Sequence, residues 1–134
     1  MKQCRGCGRE LTKRSQKVYC SVDCQHSSTR AGRTAEWLKS GVASVGSKAA
    51  HYVRRHLLDE QDGCCAICGI VEEWNGQPLV LIPDHIDADA SNNRRENLRM
   101  ICPNCDSQLP TYKSRNRGKG RHFRRERYAS GQSY

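Results

Sequence analysis

The chain has 134 residues, of which 36% are hydrophobic and 6% aromatic, with a mean hydropathy of -0.85, so a large apolar core or a deep metabolic pocket has little to be built from. Lys and Arg number 23 against 14 Asp and Glu, a net charge of +9, which favours a polyanionic partner. The first residues, Met1-Lys2-Gln3-Cys4-Arg5, offer no apolar signal segment, and nowhere do about 18 apolar residues run together, so a membrane span is excluded and a cytoplasmic protein is expected. Nine cysteines remain to supplement the small core. Reducing conditions, the odd count and tight local pairing favour thiolate-metal sites over disulfides.

Residues 1–28 hold two such pairs, Cys4 with Cys7 and Cys20 with Cys24. The spacing suits one tetrahedral zinc, as in a treble-clef or ribbon finger too small to fold without metal. Gly6 and Gly8 are expected where the tight turn needs positive φ. Residues 29–62 form a helical linker in this reading. A short helix is predicted over 35–39, then a second, capped at Gly46 or Ser47 and running through Ala49, Tyr52, Val53, His56, Leu57 and Leu58. Trp37 is expected to dock the linker onto the core, and His51 and His56 have no ligand-like partners nearby.

The core block, 63–115, carries a second zinc pattern, Cys65 and Cys68 with Cys102 and Cys105, leaving Cys64 spare. Between the pairs lie an apolar run predicted as a strand, Leu79-Val80-Leu81-Ile82, then Asp84-His85-Ile86-Asp87, a turn-rich loop and Glu96-Asn97-Leu98. Asp106 follows the last cysteine. Asp87 and Asp89 begin a calcium-loop pattern that fails, because Asn92 stands where Gly is needed and Leu98 where the closing Glu should be. Asn92-Asn93 reads as a loop tip. The final segment, 116–134, belongs to a basic stretch containing Lys113, Arg115, Arg117, Lys119, Arg121, Arg124 and Arg125, with aromatics interleaved, which suits contact with phosphates.

The segments D-H-I-D, N-N-R-R-E-N-L-R and C-P-N-C-D-S-Q together resemble the HNH endonuclease family, over about residues 63–115. The preceding finger and linker look like HNH proteins of bacteriophages and prophages. This resemblance implies a small, zinc-braced α+β protein with a ββα-metal core that nicks or cleaves double-stranded DNA. It places His85 as the general base, Asp84 as a metal ligand, Asn97 as the central structural Asn, and Asp106 at the last motif position. That position most often holds His in the family, so Asp106 is a departure. DNA-packaging proteins are further candidate partners, with packaging, homing and defence all open as roles.

Elementary chemistry is compatible with this picture. An imidazole accepts a proton near neutrality, and two carboxylates, Asp84 and Asp106, make a hard oxygen site for Mg²⁺ or Mn²⁺ beside two structural zinc ions. The alternative is a zinc-finger DNA-binding accessory or regulatory protein whose HNH site is degenerate at Asp106.

Overall fold

The computed structural model describes residues 1–43 and 51–112. Helix α1 (Val22–Ser40) starts where the extended Ser21 accepts a hydrogen bond from the Cys24 amide at 3.1 Å, with Asp23 in the first turn facing the positive end of the helix dipole. It stops at Gly41, whose φ of 73° lets its amide reach the Trp37 carbonyl at 2.7 Å. These nineteen residues form one helix where only 35–39 were expected. Its middle is polar and largely exposed, so caps rather than an apolar stripe define it. Cys24 near its start and the fully buried Trp37 near its end thus ride on one rod, crossing the boundary drawn at residue 28.

Helix α2 (Tyr52–Glu60) buries Tyr52, Val53 and Leu57. Its cap is His51, whose Nδ1 accepts from the Val53 amide at 3.4 Å while the ring stacks on Tyr52. The expected caps Gly46 and Ser47, and Ala49, lie outside the described residues. Trp37 meets Tyr52 and His56 edge-on, at centroid distances of 6.4 and 5.5 Å, which fastens α1 to α2.

A hairpin of β1 (Glu73–Trp74) and β2 (Gln77–Pro78) follows, turned by Asn75 and Gly76, both at positive φ as a type I′ turn requires. Strand β3 (Ile82–His85) pairs antiparallel with β4 (Leu98–Ile101), setting Asp84 opposite Arg99 and His85 opposite Leu98. The strand thus starts three residues later than the apolar run predicted. Leu81 still fills the core, while Val80 faces solvent. Pro103 opens α3 (Pro103–Ser107) behind the cap Cys102, completing a ββα unit.

Trp37, Leu57, Leu81, Met100 and Ile101 are the most deeply buried side chains, joined in one core by Cys65, Cys102 and Cys105. The Gln61 carboxamide clasps β4 from the end of α2, accepting from the Met100 amide and donating to the Met100 carbonyl, both at 2.9 Å. The result is a small α+β fold with two short antiparallel hairpins. Among the described residues no helix is long and apolar enough to cross a membrane.

Candidate active site and metal centres

Each cysteine quartet converges. Cys4, Cys7, Cys20 and Cys24 have their sulfurs within 4.8 Å of one another, as do Cys65, Cys68, Cys102 and Cys105. The Sγ···Sγ separations include 3.4 Å for Cys4–Cys24 and 3.7 Å for both Cys7–Cys20 and Cys68–Cys102. Tetrahedral zinc with Zn–S near 2.3 Å needs an edge of about 3.8 Å, so the donor sets fit. Backbone amides aim at the sulfurs: Cys20 N–H at Cys4 Sγ (3.3 Å), Cys102 N–H at Cys65 Sγ (3.2 Å) and Cys105 N–H at Cys102 Sγ (3.4 Å).

Burial pushes the Cys4 and Cys65 thiols up, but these and neighbouring amides together outweigh it and hold both at about 6. In each quartet two companions, Cys20 and Cys24 in the first and Cys68 and Cys105 in the second, resist ionisation. Cys24 is pushed up to about 12, first by its hydrogen bond with Cys4, and Cys105 to about 12, first by burial. Four thiolates this close repel one another and gather only around a cation. Cys64 stands outside the second quartet, its Sγ directed at the Asp62 carbonyl.

The two glycines of the first knuckle do different work. Gly8 has φ 74°, but Gly6 does not take positive φ; a Cβ there would lie 2.6 Å from Cys24 Sγ, so it is required for close approach.

His85 ends β3, and its Nε2 lies 2.8 Å from Asn93 Oδ1. The loop that follows is organised around Asn97, buried to 8% exposure. Asn97 Oδ1 accepts from the Asp87 amide (3.0 Å), while its Nδ2 donates to Asp87 Oδ1 (2.9 Å) and to the Asn92 carbonyl (2.8 Å). Asp87 also accepts from Asn92 Nδ2 and the Asp89 amide, both at 2.8 Å. The Asn92 side-chain amide is foremost among the donors that hold the Asp87 carboxyl below its usual range.

Over 77 residues the chain is 38% identical to the H-N-H endonuclease F-TflIV of Escherichia phage T5, a match covering 55% of this chain and 34% of that protein. The similarity supports an HNH relationship. The chain spans about a third of the length of that relative. No family model and no solved structure matches the chain.

Within the HNH-like segment, Asp84 Oδ2 accepts from Arg99 Nε at 2.8 Å across the strand pair. Asp106 sits in the first turn of α3, which packs beside β3. Among the described residues, Asp84, His85 and Asp106 do not form a close ligand group like the cysteine quartets. The basic residues Lys113, Arg115, Arg117, Lys119, Arg121, Arg124 and Arg125 lie outside the described residues.

Three features are not legible in the sequence. Asn93, expected as a loop tip, bonds His85 through its side chain and accepts from Trp37 Nε1 through its carbonyl at 2.6 Å. Arg99 faces Asp84 because strand alternation and register put them opposite, a pairing knowable only once β3 and β4 are aligned. Arg95 forms an ion pair with Glu60, tying the turn before β4 to α2.

Proposed function

We propose that the chain is a metal-dependent HNH DNA endonuclease, with its chemistry in 63–115 and with the finger (1–28), linker (29–62) and basic tail (116–134) as supporting segments. The observation that carries this reading is His85 at the end of β3, with Nε2 2.8 Å from the Asn93 side-chain oxygen; an oxygen partner there selects the tautomer with hydrogen on Nε2, which gives Nδ1 the role of acceptor. His85 takes a proton from the water that attacks phosphorus, as a bond forms from the water oxygen and the P–O3′ bond breaks. Asp84 and Asp106 are hard oxygen donors on neighbouring elements and fit Mg²⁺ or Mn²⁺. Such an ion, when bound, supplies charge stabilisation at the phosphate and the leaving oxygen. Asn97 fixes the loop behind His85. The two cysteine quartets hold structural zinc, and the tail neutralises phosphates of double-stranded DNA. If phage-encoded, the protein works in the host cytoplasm.

One observation favours a second reading. Asp84 is already paired with Arg99, and Asp106 replaces the family's usual His, as in a DNA-binding accessory protein that does not cut. Zinc-loaded protein incubated with supercoiled plasmid separates the two. Nicked or linear DNA in Mg²⁺ or Mn²⁺, suppressed by EDTA, supports the nuclease; DNA retention without cleavage in either ion supports the accessory protein.

A further inference from the structure

We propose that Asn93 is the positioning residue for the His85 base and that Trp37 holds Asn93 in place, so that helix α1, anchored in the N-terminal cysteine cluster, helps keep the site in working geometry. The inference rests on the nuclease reading of His85.

Two consecutive carbonyls of the loop are caught from different directions. Asn97 Nδ2 donates to the Asn92 carbonyl at 2.8 Å, and Trp37 Nε1 donates to the Asn93 carbonyl at 2.6 Å. Trp37 is wholly buried, wedged edge-on against Tyr52 and His56, so its N–H has one direction available. A buried indole N–H seeks a partner, and this one finds it 56 positions along the chain. With the backbone fixed on both sides, the Asn93 side chain presents Oδ1 to His85 Nε2.

A carboxamide oxygen only accepts, so Nε2 must carry the hydrogen and Nδ1 must offer the lone pair. The contact thus sets both the tautomer and the plane of the ring. A misplacement of about 1 Å at a reacting group can cost about 10²-fold in rate, so the link from α1 to His85 bears on turnover although neither Trp37 nor Asn93 touches the reacting phosphate in this scheme.

The test uses full-length, zinc-loaded protein with three substitutions: Asn93→Leu, which removes the acceptor at similar volume; Asn93→Asp, which keeps an acceptor oxygen; and Trp37→Phe, which keeps a ring but removes the N–H. Each is assayed for kcat and KM on duplex DNA in Mg²⁺, for its thermal melt, and for the His85 ring tautomer by nitrogen-15 NMR. Asn93→Leu is expected to lower kcat about 10²-fold with KM nearly unchanged, and to convert a single Nε2–H tautomer into a mixture. Asn93→Asp should restore most of kcat, and Trp37→Phe should fall between. A wild-type kcat or an unchanged tautomer in Asn93→Leu overturns the proposal. Trp37→Phe behaving as wild type in both readouts overturns the part assigned to α1. If the tautomer responds as expected but the wild-type protein cuts no DNA in Mg²⁺ or Mn²⁺, the positioning stands and the nuclease reading falls.

Discussion

Replacing Asn97 with Ala deletes three hydrogen bonds at once, to the Asp87 amide, the Asp87 carboxylate and the Asn92 carbonyl. Two neutral bonds at about 1 kcal/mol and one to a charged group at about 1.5–3 kcal/mol set an upper figure of about 3.5–5 kcal/mol. Asp87 is exposed and Asn92 half-buried, so water recovers part of this, and we expect a loss of about 2 kcal/mol. For a domain of this size that lowers Tm by about 8 °C. Asn97→Asp sharpens the test, because it keeps the acceptor toward the Asp87 amide but sets a second carboxylate beside Asp87, which stays ionised because its own carboxyl is held low. The new carboxyl has a folded pKa raised above its unfolded value of about 4. Its charge penalty is therefore absent at the acid end, grows as pH rises through the raised value and then levels off. Thermal melts of the two variants should lie closest together at about pH 4 and below, with Asn97→Asp falling progressively under Asn97→Ala by about pH 8. Comparing the variants with each other cancels proton uptake by the cysteine sets. Parallel curves at all pH values, or an Asn97→Ala loss under about 0.5 kcal/mol, would refute the loop staple.

Native mass spectrometry should find two zinc ions per chain; Cys102→Ser should unfold the ββα core, and Cys20→Ser should release one ion and loosen α1 at its finger end. One zinc or none in folded protein contradicts this. Arg99→Gln frees Asp84 from its ion pair and should lower the Mg²⁺ concentration for half-maximal cleavage about tenfold, since a hydrogen bond to a charged group is worth about 1.5 kcal/mol; an unchanged midpoint would show that Arg99 does not compete with the ion. Ending the chain after Tyr112 removes eight Lys and Arg residues and should flatten the dependence of DNA affinity on salt, by about 0.9 in log-log slope for each phosphate that the shortened chain leaves unneutralised. An unchanged slope would show a solvated tail.

The cysteine quartets are legible from spacing because metal ligation is a local pattern, with two or three residues between the thiols of each knuckle. The cap at Cys102 and Pro103 likewise announces α3. Only the end of helix α1 around Trp37 is legible, since its polar middle carries no period and its start is fixed by Ser21 inside the cysteine-rich segment. The apolar run at 79–82 places a strand but not its register, because residues 79–81 bury one side chain deeply without pairing. His85 and Asn97 stand out by motif. Asn93 does not, because its significance comes from Trp37, which reaches it only once α1 has packed on α2. Gly6 sits in the expected turn, but what calls for glycine there is the close Cys24 sulfur rather than a positive φ.

The central claim is that His85 acts as a base in DNA cleavage. Single-turnover cleavage of supercoiled plasmid in Mg²⁺ or Mn²⁺ by the wild-type protein and by His85→Ala, matched for zinc content, melting temperature and DNA affinity, tests it most directly. The account predicts a rate loss of about 10² to 10⁴ in the variant with the other properties retained. Equal cleavage by both proteins, or none by the wild type in either ion, would contradict it.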